Sequence, residues 1–133
     1  MGIEQLKNEV ITKVLGDKEK IRDCESLFFQ TQSGKLFRMW HPQDCCESVY
    51  VEDVVGEFSW LIGEKVVDAY ETSGFNEVEY GQEQWTFYTI STFLDSVTIR
   101  WLGDSNGYYS TSVYFEEVTD FFNVYDEEYY ALC

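Results

Sequence analysis

Apolar and polar positions alternate along most of this chain in runs of four to nine residues. That two-residue period marks strands with one buried face. The cleanest run is 96–102 (SVTIRWL), which sends Val97, Ile99 and Trp101 to one side and Thr98 and Arg100 to the other. Residues 85–93 (WTFYTISTF) also alternate, with Trp85, Phe87 and Phe93 on one side. Residues 111–118 (TSVYFEEV) point Val113 and Phe115 inward, and 49–55 (VYVEDVV) place Val49, Val51 and Asp53 on one face, opposite Tyr50 and Glu52. Residues 66–72 form a further strand. Helical periodicity is scarce. A turn at the N-terminus precedes the β-branched Val10, Ile11 and Val14, and residues 57–62 (EFSWLI) form a turn or two that buries Phe58, Leu61 and Ile62 and stops at Gly63.

The turns fix register, because directly opposed residues share a face. Between residues 27–29 and 36–40, a two-residue Ser33-Gly34 loop opposes Phe29 to Arg38. A three-residue loop, 32–34, opposes Phe29 to Phe37 and Leu27 to Met39, keeps one face apolar and is preferred, with Trp40 and Arg38 on the other face. The same reasoning rejects a two-residue Asn106-Gly107 turn in favour of loop 105–107, which opposes Ile99 to Val113 and Val97 to Phe115. His41-Pro42 ends a strand, since Pro lacks a donor and restricts the residue before it. Residues 17–23 are a charged connection and 73–84 a polar, acidic loop. The expected fold class is α+β: a mainly antiparallel sheet of seven or eight strands built from hairpins, with one or two short helices. Residues 1–118 make one β-rich domain. Residues 119–133 form an acidic, aromatic C-terminal segment whose Phe and Tyr residues favour docking.

Composition adds two constraints. The 133 residues are 44% hydrophobic and 18% aromatic, enough for a core and against disorder. No apolar run approaches a membrane span, and the N-terminus lacks the apolar stretch of a signal peptide, so a cytoplasmic protein is expected. The net charge of −16 is unevenly placed. Residues 1–38 carry seven Lys and Arg against six acids. Residues 39–133 carry only Lys65 and Arg100 against nineteen acids, a net of −17. Such a surface repels phosphate backbones and attracts basic proteins, including nucleic-acid-binding grooves. High charge also serves plain solubility.

Candidate chemistry is sparse. His41, Cys45 and Cys46 lie close together, but adjacent Cys lack the spacing of zinc pairs and no second His exists. A Cys–His dyad would need positive surroundings to lower the thiol pKa, and Asp44 and Glu47 make them acidic. In a reducing compartment Cys24, Cys45, Cys46 and Cys133 are expected to be free thiols. The doublets Glu52/Asp53, Glu116/Glu117 and Glu127/Glu128 point to opposite faces of a strand and so make no convergent carboxylate pair. No phosphate-binding glycine loop is present. The chain is therefore not expected to be an enzyme or to carry a metal or cofactor. Arg100, one of two cations after residue 38, stands out. It pairs with Glu116 or another acid, or else lines a small-ligand pocket with Trp101, Asn106, Tyr108 and Tyr109.

Two blocks, HPQDCCESVYVEDVVGEFSWLIG at 41–63 and QWTFYTISTFLDSVTIRWLGDSNGYYSTSVYFEEV at 84–118, resemble an uncharacterised domain family of tailed phages and prophages, with a weaker likeness at EVITKV. The resemblance implies a phage or prophage origin and one shared domain ending near Val118. It transfers no site. A phage origin favours a non-enzymatic binding protein that inhibits a host factor in the bacterial cytoplasm, of the anti-CRISPR or anti-restriction type. Its acidic surface would mimic nucleic acid for a basic, nucleic-acid-binding partner. The partner-binding candidates are Glu52, Asp53, Glu116, Glu117, Asp126, Glu127, Glu128, Tyr129 and Tyr130. The alternatives are a binder that sequesters a nucleotide immune signal, in which a homodimer would complete the pocket, and a phage structural or accessory subunit.

Overall fold

The register of the first hairpin is the one that parity selects. In the computed structural model, which describes residues 2–43, 46–78, 81–105, 110–119 and 129–133, β2 (Ser26–Thr31) and β3 (Leu36–Trp40) pair Leu27 with Met39 and Phe29 with Phe37. Gly34 supplies the left-handed turn, at φ +92°. β1 (Ile11–Gly16) follows a 3-10 turn at Ile3–Leu6 and pairs with β2. Further on come β4 (Ser48–Val55), a 3-10 turn at Phe58–Trp60, β5 (Asp68–Val78), β6 (Gly81–Ser91), β7 (Ser96–Ser105), β8 (Tyr114–Glu117) and β9 (Tyr130–Ala131). All nine strands of the described residues pair antiparallel, in two sheets ordered β8-β3-β2-β1-β9 and β4-β7-β6-β5. The helices expected near residues 4 and 57–62 are single 3-10 turns; Leu61 is fully buried and Gly63 has φ +82°.

The two sheets share one core. Leu27, Phe29, Phe37 and Met39 of the first sheet meet Val49, Val51, Val97, Ile99 and Trp101 of the second. Trp101 is wholly buried, and its indole N–H reaches the Met39 sulfur at 3.1 Å across the sheets. A smaller apolar cluster covers the outer face of the first sheet, where Phe28 and Leu36 are buried under Leu15, Val118 and Tyr129.

Three expectations are corrected. First, β7 does not pair with β8. Both edges of β7 are taken by β4 and β6, and β8 pairs with β3 in the other sheet, opposing Met39 to Phe115. Residues between them cross from sheet to sheet: Thr111 packs on Gly103, where a Cβ would stand 2.6 Å from that of Thr111, and the Tyr88 hydroxyl donates to the Val113 carbonyl. Asn106 and Gly107 lie outside the described residues. Second, a bulge between Val51 and Asp53 inserts Glu52, so Asp53 opposes Arg100 on the outer face and Val54 opposes Ile99. Burial of Val54 against the core favours the extra residue. Third, residues 73–78 and 81–84 of the polar stretch are not a loop but the far end of the β5–β6 ladder, running from Ser73 opposite Thr86 to Val78 opposite Gly81; residues 79 and 80 lie outside the described residues.

Candidate functional site

Parity lays out the outer face of the β4-β7-β6-β5 sheet row by row. Asp104 of β7 opposes Glu83 of β6 in the first row. The second row is Tyr50, Leu102 and Trp85, and the third is Asp53, Arg100, Phe87 and Thr72. Val55, Thr98, Thr89 and Tyr70 form the fourth. This face is rich in aromatic rings because the opposite positions, Val97, Ile99, Trp101, Tyr88 and Ile90, have filled the core. Tyr70 is 48% and Val55 57% exposed, and Trp85 and Phe87 are half-buried.

Arg100 is the centre of the face. Its guanidinium stands 5.4 Å from the Trp85 ring centroid and 3.5 Å from a Glu52 carboxylate oxygen. Trp85 and Phe87 stack nearly parallel at 6.2 Å. Asp53 accepts from the Val54 amide at 2.9 Å and lies 3.7 Å from Arg22, which reaches over from the charged connection after β1. Of the partners expected for Arg100, Glu116 or another acid, it takes another acid, Glu52; Glu116 belongs to the other sheet. Glu83 and Asp104 enter none of the ion pairs found among the described residues.

The other candidates are dispersed. Glu116 opposes Arg38 and accepts from the Trp40 indole at 3.1 Å on the outer face of the first sheet, where Arg38 lies 3.6 Å from the Trp40 ring centroid. Glu117 opposes Phe37 and points to the other side of β8. Tyr129 packs its ring 4.6 Å from Phe28, and Tyr130 pairs with Gly16 at the far edge of that sheet. Asp126, Glu127 and Glu128 lie outside the described residues, as do Asn106, Tyr108 and Tyr109. Trp101 cannot share a pocket with Arg100, because consecutive strand residues face opposite ways and Trp101 is core. Two cavities, of about 380 and 340 Å³, lie elsewhere and include neither residue.

His41 is architectural. It is buried, and its Nδ1 donates to the Ser112 carbonyl at 2.6 Å, tying the end of β3 to the crossing segment, while Nε2 stands 3.5 Å from Glu47. Cys46 is disulfide-bonded, which corrects the expectation of free thiols throughout; that expectation rested on compartment, which does not constrain loop geometry. Cys24 and Cys133 are free. Burial pushes the Cys24 thiol up to about 11, so it stays protonated and unreactive at neutral pH. Burial also raises the Tyr88 phenol well above its usual value. No group of His, Cys, Asp and Glu among the described residues is arranged to hold a metal, and no described helix is long and apolar enough to cross a membrane.

Fold and site together define an antiparallel two-sheet protein that presents a partly exposed shelf of aromatic and acidic side chains around one arginine. The chain belongs to a family described as a domain of unknown function (DUF7448), which matches residues 4–115. No curated protein and no solved structure matches it.

Proposed function

We propose that this chain is a phage-encoded, non-enzymatic inhibitor that binds a basic, nucleic-acid-binding host protein in the bacterial cytoplasm, of the anti-CRISPR or anti-restriction kind. The observation that carries the reading is the outer face of the β4-β7-β6-β5 sheet, where Glu52, Asp53, Glu83 and Asp104 border Tyr50, Trp85, Phe87 and Tyr70. Carboxylates set against half-buried rings and the exposed Tyr70 suit a surface of Lys and Arg. The charges steer encounter and the rings supply buried contact area. The net charge of −17 over residues 39–133 extends that field beyond the face itself.

Affinity capture from host lysate at about 50 and 300 mM salt tests it, the range over which exposed charges pass from weakly to strongly screened. The reading expects a nucleic-acid-binding protein that is retained at low salt, released at high salt and displaced by duplex DNA. A partner held equally at both salts and indifferent to DNA would refute mimicry.

A further inference from the structure

We infer that the end of the second sheet at the β6–β7 turn is a self-association surface, covered by a second copy of this chain. The turn, residues 92–95, is closed by the Thr92 amide donating to the Asp95 carbonyl at 2.8 Å and the Asp95 amide donating to the Thr92 hydroxyl at 3.2 Å. Its central residues, Phe93 and Leu94, are 89% and 74% exposed, more than any other large hydrophobic residue described. Nothing in the turn calls for them. Hairpin tips of this length favour Gly, Asn or Asp, and neither Phe93 nor Leu94 has a positive φ.

The tip has apolar flanks on both sides. Toward β4, exposed Val55 opposes Thr98, and a Cβ built on Gly56 would stand 3.1 Å from the ring of exposed Trp60 and 3.2 Å from the Ser96 carbonyl oxygen. Toward β5, the amide of exposed Val67 donates to the Ser91 carbonyl at 2.8 Å. Together these five side chains expose on the order of 500 Å², near the top of what a monomer shows. That is more than half of the roughly 800 Å² that each partner contributes to a standard interface.

Shape and charge select a second copy as the occupant. A two-fold contact buries one surface against itself, and this surface carries both a projecting tip and a flank to receive one. The tip of each copy then packs on Val55 and Trp60 of the other. The opposed acids Glu83 and Asp104 lie six residues along β7 from Thr98, about 20 Å away. A dimer formed here holds those acidic ends about 40 Å apart, well beyond the Debye length of about 8 Å. A basic protein is drawn to the acidic end and leaves this one free. Exposed Asp95 and Glu57 rim the patch, so the repulsion that remains between two copies is local and weakens with salt.

Sedimentation equilibrium of the full chain at about 50 and 500 mM salt tests this. A monomer–dimer equilibrium in the micromolar range is expected, tightening about three-fold or more at the higher salt as the rim acids are screened. That sign is opposite to the one expected for a basic partner, so either reading can fail without the other. F93S/L94S should weaken the dimer at least about tenfold with an unchanged circular dichroism spectrum, since both side chains are exposed in the monomer. E83Q/D104N, at the other end of the sheet, should dimerise at least as well as the wild type. A chain that stays monomeric at about 0.5 mM and high salt, or a dimer indifferent to F93S/L94S, would overturn the inference. Cosedimentation of a monomeric chain with phosphatidylcholine vesicles, lost in F93S/L94S, would overturn it in favour of a lipid surface.

Discussion

Replacing Glu83 by Gln should make the protein more stable while weakening its binding of basic ligands. Glu83 and Asp104 are opposed on β6 and β7. Two unit charges about 5.5 Å apart in water repel by roughly 0.75 kcal/mol, and screening at physiological salt leaves about 0.4 kcal/mol. The substitution keeps the size of the side chain, so that repulsion is what it removes. For a chain of this length about 0.4 kcal/mol corresponds to a rise in Tm of about 1–2 °C. Calorimetry and urea unfolding should show the gain at low salt and its loss near 1 M salt, where the Debye length is about 3 Å. Asp104→Asn should give a similar gain, and the double variant little more than either single one, since the repulsion is relieved once. A fall in Tm for both single variants would show that the carboxylates stabilise the fold, and would refute the reasoning.

Four further outcomes follow from the core and its edges. Trp101→Ala should cost about 3–5 kcal/mol in denaturant unfolding, because a wholly buried indole that contacts Met39 leaves a cavity between the sheets; a loss below about 1 kcal/mol would mean that the sheets do not meet there. Gly103→Ala should lower Tm by several degrees and expose the crossing segment to protease, since its Cβ would lie 3.0 Å from the backbone oxygen of Thr111 as well as against the side chain; an unchanged Tm would contradict that close approach. Alkaline stability should fall between pH 9 and about 11, because the Cys24 thiol ionises at 9.0 when unfolded and near 11 when buried. Its contribution is therefore intact below pH 9 and lost as pH climbs through that window, and a Cys24→Ala variant should show a shallower decline by urea unfolding. In the native protein at pH 8, iodoacetamide with peptide mapping should label exposed Cys133 and spare Cys24; equal labelling would contradict the burial.

The β2–β3 register was legible because Phe29 and Phe37 can share a face in only one of the two short loops considered. The same parity rule misplaced β8. It assigns faces, and Phe115 does face the core, but it does not say which sheet a strand joins; β7 already had two partners in β4 and β6. The bulge at Glu52 left a trace in VYVEDVV, where alternation breaks at Val54. The end of the β5–β6 ladder left none, since its residues are polar and held by backbone pairing rather than by burial.

For the candidate site, Arg100 stood out as a rare cation and Glu52 and Asp53 as acids, and all three fall on one face. Glu83 is hidden by the polarity of residues 73–84, which reads as a loop; continuing the alternation of Trp85 and Phe87 backward by two positions finds it. Glu116, Glu117 and Tyr130 belong to the other sheet from Glu52 and Asp53, a division that residue type alone does not reveal. Composition counts charges without saying which sheet carries them.

The central claim is that the outer face of the β4-β7-β6-β5 sheet binds a basic partner. Its most direct test is the affinity of the captured host protein for the wild-type chain and for E52Q/D53N/E83Q/D104N at 50, 150 and 300 mM salt. The account predicts that wild-type binding weakens steeply with salt and that the variant binds at least tenfold more weakly at 50 mM, with a shallower slope. Identical affinities and slopes for the two chains would contradict it.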